Sequence, residues 1–171
     1  MKKNSNIMSL VTAAMIAALY VVLSFAINAF GLASGAIQVR VSEALTILPY
    51  FTASAIPGLT IGCLLFNLLS GAAILDIIFG TLATLIGAVG SRIIGMAAKK
   101  VNWIKYLVAV PPILANTFMV PWILKTAYGL ADAYWYLAAT VGIGEIISCG
   151  ILGMILMTAL MPIRNVLFKQ N

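Results

Sequence analysis

Histidine is absent from the 171-residue chain, and Asp and Glu together number four. The first absence removes histidine metal sites and histidine-dependent catalysis. The second leaves few carboxylates for acid–base chemistry. Only 8% of residues are charged while 63% are hydrophobic, and mean hydropathy is +1.12. No soluble domain of this size buries that much apolar surface, so the composition is that of an integral membrane protein. The alternating pattern of a membrane barrel is missing. A Gly-rich loop ending in Lys-Ser/Thr is missing too, which excludes nucleotide hydrolysis by this chain. Cys63 and Cys149 lie far apart in apolar runs and read as small buried hydrophobes rather than a disulfide. The formal net charge of +6 reads as charge asymmetry across a bilayer rather than a nucleic-acid surface. No cofactor, metal site or enzymatic activity is expected.

What is present is organised around Val141-Gly-Ile-Gly-Glu-Ile-Ile-Ser-Cys-Gly150. Glu145 is the only acid in the apolar run from Trp135 to Leu160. A carboxylate at membrane depth costs on the order of a few kcal/mol, so it persists only where protein or ligand answers it. Gly142 and Gly144 strip bulk from the helix beside it, which admits a small ligand or another helix backbone. The alternative is a structural ion pair with an Arg or Lys of a neighbouring helix.

A helix crosses a bilayer in about 20 residues, so the length allows about six spans. The expected fold is a single all-α membrane domain over 1–171, with helices at about 7–30, 41–52, 57–70, 76–98, 106–124 and 135–162. The first run is too long for a signal-peptide core. Ser42 is placed to cap the second helix with Glu43 in its first turn, and Asp76 to open the fourth. Arg40 and Glu43 either pair with each other or mark the mouth through which a ligand enters. Asn67 and Asn116 are amides in apolar helices and need partners. Ala83, Gly87, Ser91 and Gly95 form a ladder of small residues, the mark of a helix–helix contact.

Six spans put both termini on one side. Lys2, Lys3, Lys99, Lys100, Lys105, Arg164 and Lys169 then share that side, while Arg40 and Lys125 fall on the other. The positive-inside rule makes the termini cytoplasmic. Polar and aromatic groups, among them Arg40, Asp76, Tyr128, Tyr134 and Trp135, then converge on the outer face. A solute pocket is expected there, at the outer ends of the fourth to sixth helices.

Two functional classes fit. One is a substrate-binding subunit that takes its energy from a partner. The other is a stand-alone secondary transporter for a small polar metabolite or vitamin-like solute, which usually shows paired inverted repeats. No convincing repeat is visible. In the first helix Ala13 stacks over Ala17 and Ala14 over Ala18, a stripe that serves either internal packing or docking of a partner.

Four blocks carry a resemblance: Gln38-Val-Arg-Val-Ser-Glu-Ala-Leu-Thr-Ile-Leu-Pro-Tyr50, Ile56-Pro-Gly-Leu-Thr-Ile-Gly62, Leu75-Asp-Ile-Ile-Phe-Gly80 and Val141-Gly-Ile-Gly-Glu145. In order and spacing they resemble the QueT family, over about Met8 to Leu167. These are substrate-binding S components of energy-coupling factor (ECF) transporters of the bacterial cell membrane, assigned to uptake of queuosine precursors. The resemblance implies the six-helix S-component fold, a transmembrane T subunit and two cytoplasmic ATPases as partners. It maps the T-subunit face onto Ala13, Ala14, Ala17 and Ala18. The implied substrate is a deazaguanine base, in its nitrile or aminomethyl form. Such a base offers a ring N–H beside an exocyclic amine, and one carboxylate accepts both. Glu145 is the candidate acceptor and Asn116 the reader of the neighbouring carbonyl. Trp122, Tyr128 and Trp135 are candidates to stack on the base, the two Trp residues alternatively being membrane-belt anchors. Glu43 or Asp76 is placed to meet an ammonium.

Overall fold

The computed structural model describes residues 2–30 and 39–168. Most of the loop expected at 31–40, the basic side chains of Lys2 and Lys3, and Lys169 lie outside that description. Helix α1 is Lys2–Ala29. A 3₁₀ segment, Val41–Tyr50, follows. Then come α2 (Ala55–Leu69), α3 (Ile74–Ala98), a 3₁₀ turn at Asn102–Leu107 and α4 (Val110–Ala127). The last long run is α5 (Tyr134–Glu145), a π segment (Ile146–Leu152) and α6 (Gly153–Leu160), after which α7 is one turn, Arg164–Leu167.

Four runs are long and apolar enough to cross a membrane: Asn6–Ala29, Ile74–Ala98, Asn102–Ala127 and Tyr134–Leu160. Their outward faces are apolar. Ile78, Leu82, Ile86, Val89 and Ile93 of α3 are all exposed, which suits lipid rather than water. The chain is a multi-pass membrane protein. The other two expected spans are shorter elements, the 3₁₀ segment buried in the bundle and α2 with one apolar face, Ile61, Leu65 and Leu68, exposed. At 15 residues α2 is about 22 Å long, and ten residues of 3₁₀ helix reach about 20 Å, against a hydrocarbon core of about 30 Å.

The second element therefore differs from the α-helix expected at 41–52. Residues 42–49 are all buried and Pro49 lies inside the segment, where it removes a backbone donor and blocks a regular α-helical ladder. Ser42 is not the cap, since the segment starts after Arg40; it is buried and lines a cavity instead. Asp76 lies in the first turn of α3, which begins at Ile74 after Ala73.

The chain reverses direction from one element to the next. Ser9 of α1 hydrogen-bonds Ser54 just before α2, and Phe168 stacks on Phe51, so these ends of the chain share one end of the bundle. Arg40, Asn67, Asp76 and Tyr128 share the other.

Small residues set the helix contacts. The ladder on α3 is internal: Gly87 and Gly90 face Pro112 and Pro111, Gly95 faces the Tyr50 backbone, and Ser91 Oγ donates to the Val108 carbonyl at 2.8 Å. On α2, a Cβ at Gly58 would lie 2.7 Å from the Ala13 carbonyl oxygen, and one at Gly62 2.8 Å from Tyr20 Cβ and 3.0 Å from the Ala17 carbonyl oxygen. Backbone cannot yield as a flexible side chain does. Gly62→Ala is expected to destabilise the protein by about 1–3 kcal/mol, the scale of overpacking. Thermal unfolding in detergent checks this, and an unchanged melting temperature would mean that α1 and α2 move apart at little cost.

Candidate functional site

Two carboxylates that the sequence keeps far apart meet in the core. Glu43 comes from the first turn of the 3₁₀ segment and Glu145 from the last residue of α5. A carboxylate oxygen of each and Cys149 Sγ all lie within 4.8 Å of one another. Glu43 is 1% exposed and Glu145 4%. The Tyr20 hydroxyl donates to Glu43 Oε1, and the Cys149 thiol lies 3.2 Å from Glu145 Oε2. Thr46 Oγ1 donates to the Glu43 carbonyl at 2.6 Å. Asn116, also buried, lies against both carboxylates. Glu43 Oε2 is buried and has no hydrogen-bond partner among the described residues.

The backbone that presents these groups is irregular on both sides. A ten-residue 3₁₀ run is uncommon, and it turns Glu43 and Thr46 inward together. The π segment begins directly after Glu145, and such bulges recur at functional sites. It sets Cys149 beside Glu145 and Ser148 beneath Arg40, whose backbone N–H donates to Ser148 Oγ at 3.1 Å. Glu43, Glu145 and Cys149 are also the set, among the described residues, with a spacing that suits a metal ion.

Next to this cluster is a cavity of about 280 Å³, near the lower end of small-molecule sites at roughly 300–1,000 Å³. Arg40, Asn67, Asp76 and Tyr128 line it, as do Tyr20, Ser24 and Phe66. Tyr20 belongs to both parts: it lines the cavity, and its hydroxyl holds Glu43. The Tyr128 hydroxyl donates to Asp76 Oδ2 at 2.9 Å and accepts from the Ala73 N–H at 3.3 Å. Desolvation, with the bond to Asp76 adding to it, pushes the Tyr128 phenol above its ordinary range, so it stays a donor. Asn67 Nδ2 donates to the Asp76 carbonyl at 3.3 Å. Gly80, one turn on, leaves room for this carboxylate, since a Cβ there would fall 2.8 Å from Asp76 Oδ1. Desolvation opposes the charge on Arg40, but Asp76, Glu43 and Glu145 outweigh it and hold the guanidinium protonated.

Most of the residues singled out in the sequence thus converge, though not all. Glu145, Glu43 and Asn116 form the buried cluster, and Arg40, Asn67, Asp76 and Tyr128 the cavity. Gly142 is a packing position, where a Cβ would lie 3.2 Å from Thr117 Oγ1 of α4, and Gly144 is buried in α5. Trp122 and Trp135 are not brought to the cavity. Trp122 packs edge-on against Phe79 and Trp135 against Tyr134, and both are exposed on the outside of the bundle. The aromatic surface of the cavity comes from Tyr20, Phe66 and Tyr128 instead. The cavity lies between α1, α2, the start of α3 and the end of α4, so it reaches the outer ends of the expected fourth and fifth helices but not the sixth, and it draws α1 and α2 in as well. Tyr20, Ser24, Phe66 and Cys149 are missing from the sequence-based candidates. Tyr20 alone carried a signal, as the one phenol in the first apolar run.

A multi-pass helical protein with a polar cavity of small-molecule size beside a buried carboxylate pair has the make-up of a small-solute membrane transporter. The chain belongs to the QueT transporter family, whose family model matches residues 10–162. It is 40% identical over 84 residues to the queuosine precursor transporter QueT of Lactococcus lactis subsp. cremoris (strain MG1363). That match covers 49% of this chain and 49% of the relative, so the chain spans about half the length of the curated relative it matches. No solved structure matches the chain.

Proposed function

We propose that this protein captures a queuosine precursor, a deazaguanine base, and is the membrane-embedded S component of an ECF importer. The reading rests on family membership and above all on one observation: Glu43 Oε2 is buried without a partner among the described residues, beside the Glu145 carboxylate. An unanswered buried acceptor is costly, and N–H donors of a ligand remove the cost. The ring N–H and exocyclic amine of the base match one carboxylate in a bidentate pair. Glu145 is assigned that pair, Asn116 the adjacent carbonyl, and Glu43 the remaining donors. Tyr20 stands between the cavity and the acids, so its hydroxyl leaves Glu43 as the ligand arrives.

The cavity is assigned to the outer face of the cell membrane and both termini to the cytoplasm, a reading supported by Lys99, Lys100 and Lys105 at the opposite end of α3. The chain carries no nucleotide-binding loop, so a T subunit and two cytoplasmic ATPases supply the energy. Purified protein in liposomes tests both levels. Binding by the chain alone, with uptake only when the T subunit, both ATPases and ATP are added, is the expected result. Gradient-driven uptake by the chain alone would overturn the subunit assignment, and no binding of a deazaguanine base would overturn the substrate.

A further inference from the structure

Ser24 of α1 is 8% exposed, and its hydroxyl is buried without a hydrogen-bond partner among the described residues. It also lines the cavity. Burying an unpaired hydroxyl costs free energy, and a position that needed only to fill space would do better with alanine, a good helix former. Ser and Thr side chains within a helix commonly relieve the cost by bonding the carbonyl one turn back. Thr12 does so in this same helix, donating to the Met8 carbonyl at 2.9 Å. Ser24 does not, and its hydroxyl is left for whatever occupies the cavity.

Its neighbours on the helix point the same way. Residues four apart lie on one face, and Tyr20, Ser24 and Asn28 all line the cavity. Tyr20 is already committed to Glu43. Phe66 of α2 also lines the cavity and supplies an aromatic surface there, held edge-on against Phe25 of α1 at 5.1 Å between ring centres.

We propose that Ser24 is a ligand-contacting residue whose hydroxyl hydrogen-bonds the polar edge of a flat heterocycle held in this cavity. The proposal rests on the deazaguanine reading above and adds α1 to the elements that recognise the ligand. It gives Ser24→Ala a split outcome. The isolated protein should keep its melting temperature or gain slightly, because an unpaired buried hydroxyl has been removed. Affinity for a deazaguanine base, by calorimetric titration of the purified full-length chain, should fall about tenfold, the scale of one lost hydrogen bond.

Ser24→Cys, which keeps the volume with a weaker donor, should fall between wild type and Ser24→Ala. Wild-type affinity in Ser24→Ala overturns the proposal while leaving the substrate reading intact. A drop in melting temperature that parallels the loss of binding also overturns it, since the hydroxyl would then be structural. If wild-type protein binds no deazaguanine base, the substrate reading falls first and the proposal with it.

Discussion

Glu145→Gln is expected to weaken binding of a deazaguanine base by about 2 kcal/mol or more, roughly thirtyfold. The change keeps the side-chain volume and replaces one carboxylate oxygen with an NH₂ group. A carboxylate accepts a ring N–H and an exocyclic amine together, whereas an amide meets one of them with its own donor. The surroundings sharpen the expectation. Glu145 is 4% exposed and shares its site with Glu43 and the Cys149 thiol, so water cannot replace what the ligand loses. Two carboxylates this close repel each other when both are charged, so removing one leaves the empty protein no less stable. Calorimetric titration beside a melting curve separates the two effects. Unchanged affinity would move Glu145 to a structural role, and a fall in stability as large as the fall in affinity would do the same. Glu43→Gln provides the comparison, because each acid already has one oxygen engaged, Glu43 by the Tyr20 hydroxyl and Glu145 by the weaker Cys149 thiol donor.

How far the sequence revealed this site follows from the kind of signal each residue carries. Glu145 was conspicuous because a lone acid in an apolar run is costly. Arg40, Asn67, Asp76 and Tyr128 were visible for a related reason, as polar groups at or near the ends of apolar runs. That Glu43 would meet Glu145 was not visible. Their contact depends on two irregular stretches, a long 3₁₀ segment and a π segment, and hydrophobic periodicity does not encode either one. The Trp residues misled because an aromatic ring near a membrane interface looks alike whether it faces lipid or a ligand. Ser24 and Phe66 gave no signal, since a small hydroxyl and a Phe are ordinary residues in apolar helices. In the fold, the four long spans were plain from composition and length. The second element misled because Ser42-Glu43 resembles a helix start, while Pro49 within the buried segment blocks a regular α-helical ladder.

Transport should be lost, with binding kept, when Ala14 or Ala18 is replaced by tryptophan. The alanine stripe of α1 is divided by the fold. Ala13 and Ala17 are buried, with their backbones against Gly58 and Gly62 of α2. Ala14 and Ala18 are exposed on the outside of the bundle, among Leu10, Met15 and Leu19. Only this second pair remains available to a partner helix. Without larger side chains there, another backbone can approach closely, and close packing is how helices in lipid gain attraction. Indole at either position holds the partner several ångströms away but sits comfortably in lipid, so the chain still folds. The cavity lies on the opposite, inward face of α1, lined by Tyr20 and Ser24. A tryptophan at Ala14 or Ala18 should therefore abolish uptake by the assembled transporter while titration with the isolated chain stays within about twofold of wild type. Ala17→Trp is the contrast: it must displace α2, so folding, binding and uptake fail together. Full uptake by both the Ala14 and Ala18 variants would show that docking uses another surface. Loss of binding in either would show that the outer pair, like the inner one, serves internal packing.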